Sequence, residues 1–146
     1  MRRILVGYDG SAGGRRALTR AIADAQEAHA HITVLSVFNV PLEPDAPRNF
    51  GTLDDISDNE GARLSAPQDV VAQLTDARDQ LAKAGLRGDL MWAAGPPADV
   101  IVETARGARA DVIVVGEHHH GFLARAFGAD VGAAVQREAS CEVVLA

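Results

Sequence analysis

The 146-residue chain has few cysteines, lysines and aromatic residues, and an excess of acid over base. Its single cysteine, Cys141, excludes an intrachain disulfide and falls far short of a cysteine-based zinc site. Lys83 is the only lysine, so a phosphate-binding or Schiff-base lysine has one candidate, which lies late in a predicted surface helix. The chain has 14 basic and 20 acidic residues, and the basic residues form no continuous stripe along the sequence. We therefore expect no nucleic-acid partner.

Long hydrophobic runs are also missing. The first apolar run, Ile4 to Val6, ends at Gly7, far short of a signal-peptide core or a membrane span. We therefore expect a cytoplasmic protein without a membrane partner. The candidate nucleophiles, namely Ser11, Ser36 and Cys141, stand at no recognisable catalytic signature with a histidine and an acid. The sequence thus predicts no catalytic residues and no enzymatic activity.

Short apolar runs alternate with helical patterns along the whole chain. Five runs have the near-continuous hydrophobicity of strands buried on both faces of a parallel sheet: RILVGY, HITVLSV, GDLMWAA, ADVIVVG and CEVVLA. Four helices are predicted between them: one behind an N-cap at Ser11, one from Pro67 to Gly85, one after Pro96 and Pro97, and a short one from Val131. This alternation predicts a single-domain α/β fold over residues 1–146, an open doubly wound parallel five-stranded sheet of order 3-2-1-4-5. Its ligand crevice would lie at the carboxyl ends of the strands.

The segment 39–66 interrupts this pattern. It contains three prolines and six acidic residues, and no polar cluster of recognisable chemistry. We predict a long mobile loop. Loops of this length in a compact domain are functional lids or disordered segments, and the lack of a polar cluster favours the second alternative.

Four stretches resemble the universal stress protein family over essentially the whole chain: ILVGYDGS, ITVLSV, GPPADVIVETARGARADVIVVG and VGAAVQREASCEVVLA. The resemblance implies a Rossmann-like nucleotide-binding α-hydrolase-type fold, a role in the stress response and a homodimer. The apolar C-terminal strand, Val143–Leu145, is an edge strand that would pair antiparallel with its copy in the dimer.

The resemblance also allows a comparison with the ATP-binding branch of the family. Its motif after the fourth strand is Gly, two residues, Gly, nine residues, Gly, then Ser or Thr. In this chain Gly116 matches the first position, but the others fall on His119, Ala129 and Asp130. Asp9 and Val37 match the positions at the nucleoside end of the pocket. Half of the pocket is therefore retained.

The altered positions disfavour a triphosphate. His119 adds bulk where a backbone N–H must approach phosphate oxygens closely. Asp130, at the expected N-cap of the fourth helix, competes for the helix amides. Its charge also repels phosphate, by roughly 4 kcal/mol at about 4 Å and an effective dielectric near 20. We predict a vestigial nucleotide pocket without a cofactor, whose residues are Asp9, Val37, Gly116, His118, Gly121, Asp130 and Val131.

Other functions remain as alternatives. An ATP-binding protein with Mg²⁺ and slow hydrolysis would use His118, Gly121 and Arg125 in place of the missing glycine contacts. A metal site at the histidine run, residues 118–120, is disfavoured because adjacent residues cannot easily all turn towards one ion. A receiver domain is disfavoured because the third strand ends in alanines and the last strand has no lysine. The glycines of GYDGSAGG are out of register for a dinucleotide turn.

Overall fold

The computed structural model describes residues 1–41, 49–58, 66–117 and 131–146, and a six-stranded sheet forms the centre of this described part. The strands are β1 (Arg3–Gly7), β2 (His31–Asn39), β3 (Phe50–Thr52), β4 (Asp89–Gly95), β5 (Val112–Val115) and β6 (Glu142–Leu145). Their order across the sheet is β3-β4-β2-β1-β5-β6. All pairings except β3 with β4 are parallel. Counted without β3, the order is the predicted 3-2-1-4-5, and the predicted fold class is confirmed.

The prediction of one long loop at 39–66 was wrong for its central part. There the chain forms β3, antiparallel to β4, and then the short helix α2 (Leu53–Asp58). β3 fits against β4 because Gly51 has no side chain: a Cβ there would lie 2.9 Å from Trp92 Nε1. α2 is anchored by the burial of Leu53 and Ile56. Residues 42–48 and 59–65 lie outside the described residues, and the mobility of the segment stays a prediction.

Helices cover both faces of the sheet. They are α1 (Ala12–Ala28), α3 (Gln68–Lys83), α4 (Pro97–Ala108) and α5 (Val131–Glu138). α1 begins as predicted, because the Ser11 Oγ accepts the Gly14 N–H at 3.0 Å. The apolar faces of α1, α2 and α3 bury one side of the sheet, and those of α4 and α5 bury the other. Within the described ranges, no helix is both long and apolar enough to cross a membrane.

The sheet has a hydrophobic core on each face, and this explains why the strand sequences are continuous apolar runs. Neighbouring residues of one strand point to opposite faces, so Ile4 belongs to the α1 side while Leu5 belongs to the α4 side. Each such side chain contributes roughly 1.5–3 kcal/mol when fully buried. Because helices and strands run in opposite directions, the first turns of α1, α4 and α5 meet the carboxyl ends of β1, β2 and β5. A crevice forms at that edge.

Candidate functional site

The crevice is a pocket at the carboxyl edge of the sheet, between the ends of β1, β2 and β5 and the first turns of α1, α4 and α5. Four residues predicted from the sequence line it together: Asp9, Val37, Gly116 and Val131. The other predicted site residues, namely His118, Gly121 and Asp130, lie outside the described residues. The pocket is further lined by residues that the sequence analysis did not assign to a binding site: Gly7, Tyr8, Ser11, Gly14, Leu35, Pro97, Ile101 and Val115.

Asp9 is held at the mouth of the pocket by the first turn of α1. Its Oδ1 atom accepts the backbone N–H of Ser11 at 3.0 Å and the Ser11 hydroxyl. Gly14 makes this arrangement possible, because a Cβ there would lie only 2.5 Å from Asp9 Oδ1. Among the described residues, none forms a hydrogen bond with Asp9 Oδ2. The second carboxylate oxygen is therefore an acceptor that a bound molecule can use.

The floor and walls of the pocket are apolar. Gly7 ends β1 beneath α4, where a Cβ would lie 3.2 Å from Val115 Cγ1 and 3.3 Å from Ile101 Cδ1. Val37 and Val131 add further aliphatic surface. A slot with apolar walls and a few convergent polar groups is typical of small-molecule sites.

Gly116 has a packing role that does not depend on any ligand. A Cβ at Gly116 would lie 2.4 Å from the carbonyl carbon and 2.6 Å from the carbonyl oxygen of Gly13. The backbone after β5 therefore touches the backbone of α1 directly. The motif glycine that this chain retains is required by the fold itself.

The residue after Gly116 is held on two sides. The Glu117 N–H donates to the Ala146 carbonyl at 2.9 Å, and the Arg16 guanidinium donates to the Glu117 carbonyl at 3.3 Å. Arg16 reaches this carbonyl because it lies one helical turn beyond Gly13, which touches Gly116. The sequence analysis missed Arg16, since its position follows from a contact between distant glycines.

A polar network connects the strands of the pocket to α3. Tyr8 stands between Gly7 and Asp9, but its side chain passes to the opposite face and its hydroxyl donates to Asp76 Oδ2. Ser36, which is fully buried, donates to Gln73 Oε1. Burial raises the pKa of the Tyr8 phenol, and its hydrogen bond to Asp76 raises it further. These partners were not predicted, because only the fold brings α3 against β1 and β2.

Metal ligands do not converge within the part of the chain that the structure describes: no group of three or more His, Cys, Asp or Glu residues could hold an ion there. The histidine run, residues 118–120, lies outside it. The expectation that this run binds no metal stays a prediction.

The chain is similar to known proteins along its whole length. The family model described as "Universal stress protein family" matches residues 1–146. A Thermus aquaticus relative, "universal stress protein in QAH/OAS sulfhydrylase 3'region", is 31% identical over 143 residues, covering 97% of this chain and 96% of the relative.

Solved structures show the same similarity. A crystal structure of a universal stress protein in complex with cAMP is 29% identical, with a TM-score of 0.70 over 99% of this chain and 96% of that one. A family member from Burkholderia pseudomallei is 26% identical, with a TM-score of 0.64 over 99% and 94% of the two chains. The chain belongs to the universal stress protein family.

Proposed function

We propose that this chain is a cytoplasmic, homodimeric regulatory module of the stress response. It binds an adenine mononucleotide through the nucleoside half of its pocket, binds ATP weakly or not at all, and catalyses no reaction. The observation that carries the proposal is Asp9, which lines an apolar slot and has one carboxylate oxygen that no described residue hydrogen-bonds.

The nucleoside half fits the chemistry of adenosine. A purine ring takes apolar contacts on its faces, which Val37, Ile101 and Val131 offer. The purine amino group and the ribose hydroxyls can donate hydrogen bonds, and the Asp9 carboxylate can accept them. The solved relative in complex with cAMP supports a nucleotide with a single phosphate as the ligand.

The phosphate half argues against a triphosphate. The sequence replaces two motif glycines by His119 and Ala129 and the hydroxyl residue by Asp130. A single phosphate beside the sugar makes fewer demands on these positions than the β- and γ-phosphates do. We therefore expect mononucleotides to bind more tightly than Mg²⁺·ATP.

No hydroxyl group is available as a nucleophile among the described pocket residues. The Ser11 hydroxyl donates to Asp9 and accepts from Gly14, so it is used for capping α1. No histidine lines the described part of the pocket. These contacts favour a binding role.

The proposed dimer forms through β6. Its inner edge pairs with β5, from Glu142 beside Val112 to Leu145 beside Val115. Its outer edge has no strand beside it among the described residues. Val143, Val144 and Leu145 are only partly buried, and an apolar edge of this kind favours pairing with a second copy.

Titration calorimetry with AMP, cAMP, adenosine and Mg²⁺·ATP tests the ligand. We expect AMP or cAMP to bind more tightly than Mg²⁺·ATP. Asp9→Asn keeps the oxygen that Ser11 needs and removes the charge, so mononucleotide affinity should fall about tenfold, as for the loss of a charge-assisted hydrogen bond. The matched control is Asp24→Asn, because Asp24 pairs with Arg20 at 3.2 Å further along α1.

Two results would overturn the proposal. One is the absence of binding of any adenine compound. The other is tighter binding of Mg²⁺·ATP than of AMP and cAMP, which would favour the alternative of an ATP-binding protein with slow hydrolysis.

A further inference from the structure

Positive charge is scarce at the edge of the molecule that carries the pocket. Most described cations lie at the opposite edge, at strand starts or helix ends: Arg2, Arg3, Lys83, Arg87, Arg106, Arg109 and Arg137. Arg20 and Arg78 lie within helices, paired with Asp24 and Asp79. Among the described residues, only Arg15 and Arg16, in the first turns of α1, remain at the carboxyl edge of the sheet.

Arg15 and Arg16 contact different parts of the molecule. Arg15 lies beside the Tyr8 phenol, where burial and Asp76 raise the pKa and Arg15 opposes that rise. Arg15 thus belongs to the network that joins β1 to α3. Arg16 reaches instead across the Gly13–Gly116 contact to the chain segment that leaves β5.

The Arg16 guanidinium lies beside the pocket, where the chain leaves β5. Its Nη2 atom lies 3.3 Å from the Glu117 carbonyl, next to the pocket residue Gly116. A Cβ built at Gly13 would touch Arg16 Nη2, Gly116 Cα and the Glu117 carbonyl, each at 3.5 Å. The guanidinium therefore lies where the glycine motif of ATP-binding relatives begins. A guanidinium has five N–H donors, so one long bond to a carbonyl leaves donors for a ligand.

We infer that Arg16 binds the phosphate of the mononucleotide, a role that the sequence of the altered motif, with His119, Ala129 and Asp130, disfavours for the motif itself. The inference rests on the proposed function, since it names a residue for the phosphate of that same ligand. A guanidinium is suited to this role because its planar fork pairs with two phosphate oxygens at once.

The test compares AMP with adenosine, which differ only by the phosphate. Calorimetry on the native protein should give tighter binding of AMP. Arg16→Gln keeps side-chain donors and removes the charge, so AMP affinity should fall about tenfold while adenosine affinity stays unchanged. The AMP affinity of the native protein should also weaken with added salt more than that of the variant.

Arg20→Gln is the matched control. It removes the same charge one turn further along the same helix, from a residue paired with Asp24, and should leave both affinities unchanged. Melting temperatures of both variants check that they are folded. We expect them to be, because Arg16 and Arg20 are exposed.

Each outcome decides between the two proposals. If AMP and adenosine bind the native protein equally well, or if Arg16→Gln preserves the preference for AMP, Arg16 does not bind phosphate and the nucleoside site stands. Equal losses for both ligands would show that Arg16 only positions the chain after β5, and this too overturns the inference. If neither ligand binds, the proposed function itself is wrong.

Discussion

Replacing Gly116 by alanine should destabilise the protein even when no nucleotide is present. The added Cβ would lie 2.4 Å from the Gly13 carbonyl carbon, about 1 Å closer than an ordinary carbon contact of ~3.5 Å. Gly116 is not one of the glycines with positive φ, so the cost comes from this contact rather than from its conformation. Overpacking of this kind costs about 1–3 kcal/mol. Because both sides are backbone and neither can rotate away, we expect about 3 kcal/mol, or a melting temperature lower by about 10 °C.

Gly13→Ala is the control from the other side of the same contact. Its Cβ would meet its neighbours at 3.5 Å, an ordinary distance, and alanine favours the helix over glycine by roughly 0.5–1 kcal/mol. Gly13→Ala should therefore be neutral or stabilising. Urea unfolding of both variants, without ligand, measures the difference. A Gly116→Ala protein within about 0.5 kcal/mol of the native one would refute the argument that packing requires this glycine.

Three further predictions concern the phosphate loop, the dimer and the buried phenol. Restoring the ATP motif should strengthen Mg²⁺·ATP binding in calorimetry, with the aspartate change giving the largest single gain; the substitutions are His119→Gly, Ala129→Gly and Asp130→Ser. Val143→Pro removes a hydrogen-bond donor from the outer edge of β6, because the Ala146 N–H donates inward to the Val115 carbonyl and strand residues alternate in direction. The variant should convert the dimer to a monomer, whereas a native protein that is already monomeric in light scattering contradicts the proposed interface. Tyr8 is the only tyrosine, so phenolate absorbance reports its pKa, which should lie above the ordinary value of 10.0. Its contribution to stability is then complete below about pH 10 and is lost as the pH rises through the folded value, and a midpoint at or below 10 would contradict the buried hydrogen bond to Asp76.

The fold was predictable to the extent that each element carries its own signal. Continuous apolar runs gave the five parallel strands, and Ser11 and Pro97 marked the starts of two helices. β3 was missed because three residues are too few to show an alternating pattern. One of the three is Gly51, and the reason for a glycine there is the nearby Trp92 ring, which the sequence does not reveal. α2 did carry a signal: Thr52 stands three residues before Asp55, whose N–H it accepts at 3.2 Å, as in a capping motif.

The site was predictable only where the motif positions are local. Asp9, Val37 and Gly116 were identified because they match motif positions of the family that the sequence resembles, and the structure brings them together at the carboxyl ends of the strands. Tyr8 and Arg16 could not be assigned in this way. The first depends on which helix packs behind β1, and the second depends on a glycine-to-glycine contact between residues about a hundred positions apart. Such pairings are set by tertiary packing and leave no pattern within one segment.

The two edges of the sheet differ in a way that limits the size of any assembly. β3 has only three residues and is followed at once by the acidic turn of α2, so it offers little backbone for a further strand. β6 is the apolar edge, and a twofold contact through it uses the same surface on both copies. Sheets that could pair at both edges would add copies without end. In the proposed dimer, the union of two β6 strands would leave only the short β3 edges outermost among the described strands, so growth would stop at a closed pair instead of continuing into a filament.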